Sequence, residues 1–357
     1  MEEALVCLQP RELVETGRCW SDLPPDLLSV IASKIFFLAH CNFKLVCKSW
    51  NMTSPIPQPL PSSPVESPYF NSPCLMYSSW GNNSWKLFHS LYNQLYDLDC
   101  QELMDAEILF SKYGWLLMSR SDELDELITL FFFNPFTKQK IELPTTTSSF
   151  ISACFTFPPT SPDCTVVGIF SGSTICTIDF GLLKIGEREW KSKSFKNDGY
   201  FIISSCPPLC CNGVYYCLDD KSREIYVFDP MEEYKWQWVR YNKYIETKVE
   251  GDIWGVFIIE DERRVSVKKL DSSQMCWIEL ETLGNKCLYV SSTGSFAETC
   301  IVDGMANIIY FNKFHGKSGV FYSLNSGMYH SVVGDFASKE GYRLAEVDFG
   351  TWIKPTV

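Results

Sequence analysis

Four histidines, 16 cysteines and three acidic clusters are the side chains of this 357-residue sequence suited to base, metal-ligand or nucleophile chemistry. Metal ligation needs donors spaced to meet on one turn or helix face. His40, His89, His315 and His330 are too far apart for a His-x-x-x-His pair, no two cysteines form Cys-x-x-Cys, and Cys206, Cys210, Cys211 and Cys217 have no histidine nearby. Gly316-Lys317-Ser318 has the ending of a phosphate-cradling loop, but Phe311 stands where that loop needs its first glycine. Neither a Gly-x-Gly-x-x-Gly turn nor a Gly-x-Ser-x-Gly nucleophile elbow is present. Asp122-Glu123-Leu124-Asp125-Glu126, Asp219-Asp220 and Glu260-Asp261-Glu262 lie between apolar runs, where acidic clusters read as solvated turns. The expectation is a binding protein with no catalytic, cofactor-binding or metal-ligating residues, and not an enzyme.

Composition narrows what it binds. A net charge of -12 and a pI near 4.9 argue against nucleic acid and anionic membranes, because phosphate attraction needs clustered Lys and Arg. The first residues are acidic and lack the flanks of a signal peptide, and no apolar run reaches the roughly 18 residues that cross a bilayer. A cytoplasmic or nuclear protein with reduced cysteines, most of them buried as small hydrophobes, is expected.

The elements that must present a binding surface begin near Trp20. Leu27, Leu28, Ile31 and Ile35 make one apolar stripe at helical spacing, started by Pro24 and Pro25 and capped by Ser21 or Asp22. Phe43, Val46, Cys47 and Trp50 repeat the rhythm in a second short helix that stops before Pro55. So few residues cannot bury all these side chains among themselves. Leu23-Pro24-x-Asp26-Leu27-Leu28-x-x-Ile31, followed by Leu45-Val46-Cys47-Lys48-x-Trp50, resembles an F-box. That resemblance implies docking on a Skp-type adaptor and, through it, a cullin; the contact residues it implies are Leu23, Pro24, Leu27, Leu28, Ile31, Leu45, Val46, Cys47 and Trp50. Between the two blocks, where F-boxes commonly carry a polar, acidic stretch, this chain has Ile35-Phe36-Phe37-Leu38-Ala39-His40.

Seven prolines between Ser54 and Pro73 indicate an extended spacer. Beyond it, short aromatic and β-branched runs broken by Gly, Pro, Asn and Asp have the texture of an all-β domain. Apolar strands end at or near Phe88, Asn134, Asp179, Asp229, Asp271 and Asn325, in steps of 42 to 54 residues, close to one four-stranded propeller blade. A tryptophan often follows the marker, as at Trp190, Trp236, Trp238 and Trp277, and the aromatics read as pegs between blades. Ala106 to Met118 and Phe132-Phe133-Asn134-Pro135-Phe136-Thr137 make this region similar to the kelch-like domain behind the F-box in a large plant family, and Trp277 to Gly284, with Asn307 to Phe311 and Gly319 to Phe321, is similar to a related group of plant F-box propellers.

The expected fold is therefore mainly β with a small α module. It comprises a lead-in (1–19), an F-box (20–53), a proline-rich linker (54–73) and a kelch-like β-propeller of about six blades (74–357). The resemblance implies the substrate-recognition subunit of a Skp, cullin, F-box ubiquitin ligase, its propeller capturing a protein target. The altered middle of the F-box motivates the alternative of a binding or retention protein acting without degradation.

Overall fold

A computed structural model describes residues 20–34, 47–53, 72–78, 84–91, 93–98, 100–121, 127–170, 177–196, 202, 204, 206–211, 213–218, 225–228, 237–239, 245–249, 252–259, 264–271, 276–300, 304–331, 336–337, 345–346 and 350–355. The lead-in, the Ile35–His40 stretch, nearly all of the proline-rich linker and the three acidic clusters lie outside these residues. Two α-helices, Pro25–Lys34 (α1) and Lys48–Thr53 (α2), precede strands that account for nearly everything else. Among the described residues no helix is long and apolar enough to cross a membrane.

The strands form a six-bladed β-propeller. Blade 1 takes its innermost strand, Thr351–Ile353, from the end of the chain and continues outward with Cys74–Ser78, Trp85–His89 and Gln94–Leu98. Blades 2 and 3 run from Glu107–Lys112 to Gln139–Glu142 and from Phe150–Phe155 to Lys191–Lys196, each as four antiparallel strands in chain order. Blade 4 spans Leu209–Cys211 to Gln237–Val239, and blade 5 spans Ile245–Val249 to Cys276–Leu280. Blade 6 contains the hairpin Lys286–Val290 and Phe296–Thr299, then Ile308–His315, Ser318–Ser323 and Met328–Ser331. One parallel bridge, Lys248 to Phe296, joins blades 5 and 6 into a single sheet.

The repeat read from the sequence is the third strand of each blade. Phe88, Asp179 and Asp271 lie within third strands, Asn134 ends one, and Asp229 and Asn325 follow theirs by one or two residues. Asn134 shows why an Asn/Asp-Pro pair recurs there: its Oδ1 accepts from the amides of Phe136 (3.0 Å) and Thr137 (3.1 Å), folding the chain into a side-chain-mimicked turn. Gly316-Lys317 is likewise a two-residue hairpin turn, with Gly316 at φ 61°, and not a phosphate cradle.

Among the described residues each seam between blades has its own apolar cluster. Aromatic rings bridge several seams: Phe132 meets Phe155 edge-on at 5.0 Å between blades 2 and 3, and Phe180 stacks on Phe228 at 4.3 Å between blades 3 and 4. The peg reading needs one amendment. Trp190 and Trp277 also cover glycines of their own blades, Gly181 and Gly255, where a Cβ would lie within 3.1 to 3.2 Å of the indole.

The ring closes twice. Thr351–Ile353 pairs with Cys74–Ser78 in the register Cys74 to Ile353 and Met76 to Thr351. The turn 291–295 of the blade 6 hairpin then reaches past this seam. Ser291 Oγ donates to the Gly294 carbonyl and accepts from the Trp352 amide (3.3 Å). Ser111 of blade 2 donates its amide to Thr293 O (2.9 Å) and its hydroxyl to Trp352 O (2.9 Å). Gly294 permits this approach, because a Cβ there would stand 2.8 Å from Ser111 Cβ and 2.9 Å from Thr351 Oγ1. A Gly294→Val change therefore costs about 1 to 3 kcal/mol by overpacking, read as a lower Tm of the full chain; an unchanged Tm would contradict this packing.

Candidate functional site

The described N-terminal residues form a module with very little interior. Pro24 and Pro25 open α1 at the position where a missing amide hydrogen costs nothing, and the Leu28 amide makes the first helical bond to Pro24 O at 3.1 Å. Leu28 is 1% exposed, packed by Leu23, Ile31 and Trp50. Trp50, on α2, fastens the two ends of the module: its indole N–H donates to Trp20 O at 3.0 Å, and its ring meets Trp20 edge-on at 6.5 Å.

Away from Leu28, α1 exposes two large apolar residues beside Asp26 and Ser29. Leu27 is 52% exposed and Val30 56%; Trp20 and Met52, at the module's edges, are 69% and 88% exposed. Isolated exposed apolar residues are ordinary, but four large ones on a module of two short helices form a surface suited to a partner.

The nine residues expected to contact an adaptor thus divide. Leu28 is interior; Leu23, Ile31 and Trp50 are half-buried around it. Pro24 and Leu27 face outward, and Cys47 is half-buried just ahead of α2 instead of within it. Leu45 and Val46 lie outside the described residues. Trp20, Val30 and Met52 were absent from that set. Val30 was legible as the residue three positions after Leu27, which places both on one side of the helix, away from Leu28.

The groups considered for chemistry are dispersed. His89 and His330 are both buried, in blades 1 and 6, and burial lowers the His330 pKa. Its Nε2 lies 2.8 Å from Ser326 Oγ, and its ring stacks on Phe321. The twelve described cysteines are thiols, and burial raises the pKa of Cys74, Cys154 and Cys164, the last to about 11, which disfavours the nucleophilic thiolate. No group of three His, Cys, Asp or Glu able to hold a metal occurs among the described residues.

Module and ring together define an F-box β-propeller protein, an adaptor-type architecture. The F-box domain matches residues 20–57 and the KIB1-4 beta-propeller matches residues 87–330. The chain belongs to the KIB1-4 beta-propeller family. It is 26% identical over 330 residues to F-box protein At3g56470 of Arabidopsis thaliana, covering 87% of this chain and 84% of that one. It is 27% identical over 337 residues to F-box/kelch-repeat protein At1g57790 of the same plant, covering 87% and 88%. Among solved structures it is similar to TolB from Acinetobacter baumannii, with a TM-score of 0.46 and 10% identity over 80% of this chain and 67% of that one.

The division of the module sets a contrast between adjacent residues. Leu28→Ala removes about 2 to 5 kcal/mol of burial and loosens α1, whereas Leu27→Ala leaves it intact; equal acceleration of amide exchange across α1 in the two variants of the full chain would refute the assignment of faces.

Proposed function

We propose that this chain is the substrate-recognition subunit of an SCF-type ubiquitin ligase acting in the cytoplasm or nucleus. Its helical module docks on a Skp-type adaptor, which links it to a cullin, and its propeller holds a protein target. The observation that carries the reading is the uncovered apolar side of α1, Leu27 and Val30, flanked by Trp20 and Met52, on a module with one fully buried side chain among those described. Burying each such side chain in a partner contributes about 1.5 to 3 kcal/mol before association costs, enough in sum for a specific small interface.

Such a subunit promotes a reaction without performing it. Holding a target lysine near a charged conjugating enzyme raises its effective concentration, so the chain needs affinity and geometry at both ends and no reactive side chain of its own. The propeller supplies rigidity: its edges are closed, so the distance between the two binding ends is set by the fold and the connection between domains.

The test uses a change confined to the outward face. A Leu27→Asp, Val30→Asp double variant of the full chain loses copurification with a plant Skp-type adaptor by at least about 100-fold in affinity, while its propeller keeps the wild-type Tm. Undiminished adaptor binding by the folded variant would overturn the proposal.

A further inference from the structure

Two neighbouring turns at one end of the ring present aromatic side chains to water. Hairpin connections alternate between the ends of a blade, so the turn after the innermost strand of blade 2 (113–114) and the matching loop of blade 3 (156–164) emerge at the same end. Tyr113 in the first is 37% exposed and Phe157 in the second 51%. The Tyr113 ring meets Phe155, the last residue of the innermost strand of blade 3, at 6.5 Å, which sets the two turns side by side.

Both rings are held in place by their backbones. The 156–164 loop is braced at its base, where the Thr156 amide donates to Thr165 O (3.1 Å) and the Ile185 amide to Cys164 O (2.9 Å), and inside, where the Ser161 amide donates to Pro158 O (2.8 Å). Tyr113 and Gly114 take φ 53° and 73° in a two-residue hairpin turn whose first position suits Asn or Gly. A bulky side chain is strained there, and strain of this kind gathers where a side chain serves something other than the fold.

Charge completes the patch. The Lys112 ammonium lies 4.9 Å from the Tyr113 ring centroid and has no acidic partner among the described residues. Burial raises the pKa of the Cys164 thiol on the blade 3 loop, while the Phe157 amide and the Lys112 ammonium draw it down, so this cation reaches toward that loop. On the same end of the two blades Asp163 is paired with Lys184 and Glu187 with Lys191, which leaves Lys112, Lys138 and Arg188 against Glu189. A chain of net charge -12 thus carries a locally positive, aromatic patch.

We propose, resting on the reading of the propeller as the part that holds a target, that Lys112, Tyr113 and Phe157 are its recognition site for an acidic polypeptide segment bearing a large apolar side chain. The two rings supply contact area on rigid supports, and Lys112 pairs with a carboxylate beside the apolar anchor. The excess of positive charge speeds the encounter with acidic segments and rejects basic ones.

The full chain is panned against random peptides displayed on phage. The peptides recovered should carry Asp and Glu around one aromatic or branched apolar residue, and should bind Lys112→Glu and Phe157→Ser at least about 10-fold more weakly, at unchanged Tm. Tyr113→Asn, which suits the left-handed turn, should lose the same affinity while keeping or raising the Tm. Recovery of no peptides, of basic ones, or of peptides that bind the folded variants as well as the wild type would overturn the site, as would a preference for oligothymidylate over the acidic peptides. Adaptor copurification measured on the same proteins keeps the two readings apart: its absence from the wild type, with peptide binding intact, counts against the ligase reading alone.

Discussion

Leu28 is withdrawn from water while Leu27, beside it, is not, and that difference reflects a geometric limit on two short helices. Ten residues of α1 and six of α2 can enclose one side chain between them, with Leu23, Ile31 and Trp50 as walls. Leu27 and Val30 of α1 and Met52 of α2 are exposed. Among the described residues, the packing around Leu28 and the Trp50 indole bonded to the Trp20 carbonyl hold the two helices together. Under the proposed function, a partner that covers Leu27 and Val30 would stabilise this end on binding.

The propeller solves the opposite problem. Its described apolar core is divided among clusters at the seams, and its short junction is where the first and last strands meet. Three residues, Thr351–Ile353, carry the strand exchange. The 291–295 turn reinforces that short contact by bonding to Trp352 from blade 6 while Ser111 bonds to the same residue from blade 2. Lys354, just past the closing strand, pairs with Glu298 of the same blade 6 hairpin at 2.6 Å. Closure is thus spread over three blades.

Much of this was legible in the residues. Helical spacing around Leu27, Leu28 and Ile31 pointed to the first helix, and the 42- to 54-residue recurrence of markers pointed to the number of blades because each marker lies in or just after a third strand. Periodicity could not say which residues of the helical stripe face inward, since that depends on where Trp50 comes to rest. Nor could it foresee the 291–295 turn: its contacts to Ser111 and Trp352 join residues far apart in sequence, and a run of serines around one glycine looks like any surface loop. The tryptophans were half understood, because a glycine on a neighbouring strand gives no sign of which ring will cover it.

The central claim is that the helical module is incomplete until a partner covers it, and amide hydrogen exchange of the full chain with and without a purified Skp-type adaptor tests it most directly. The account predicts fast exchange across α1 in the free chain, slowed by about 100-fold when adaptor is present at a hundred times its dissociation constant, with the third strands of the blades unchanged. Protection of α1 in the free chain equal to that of the propeller strands, and unaltered by adaptor, would contradict it.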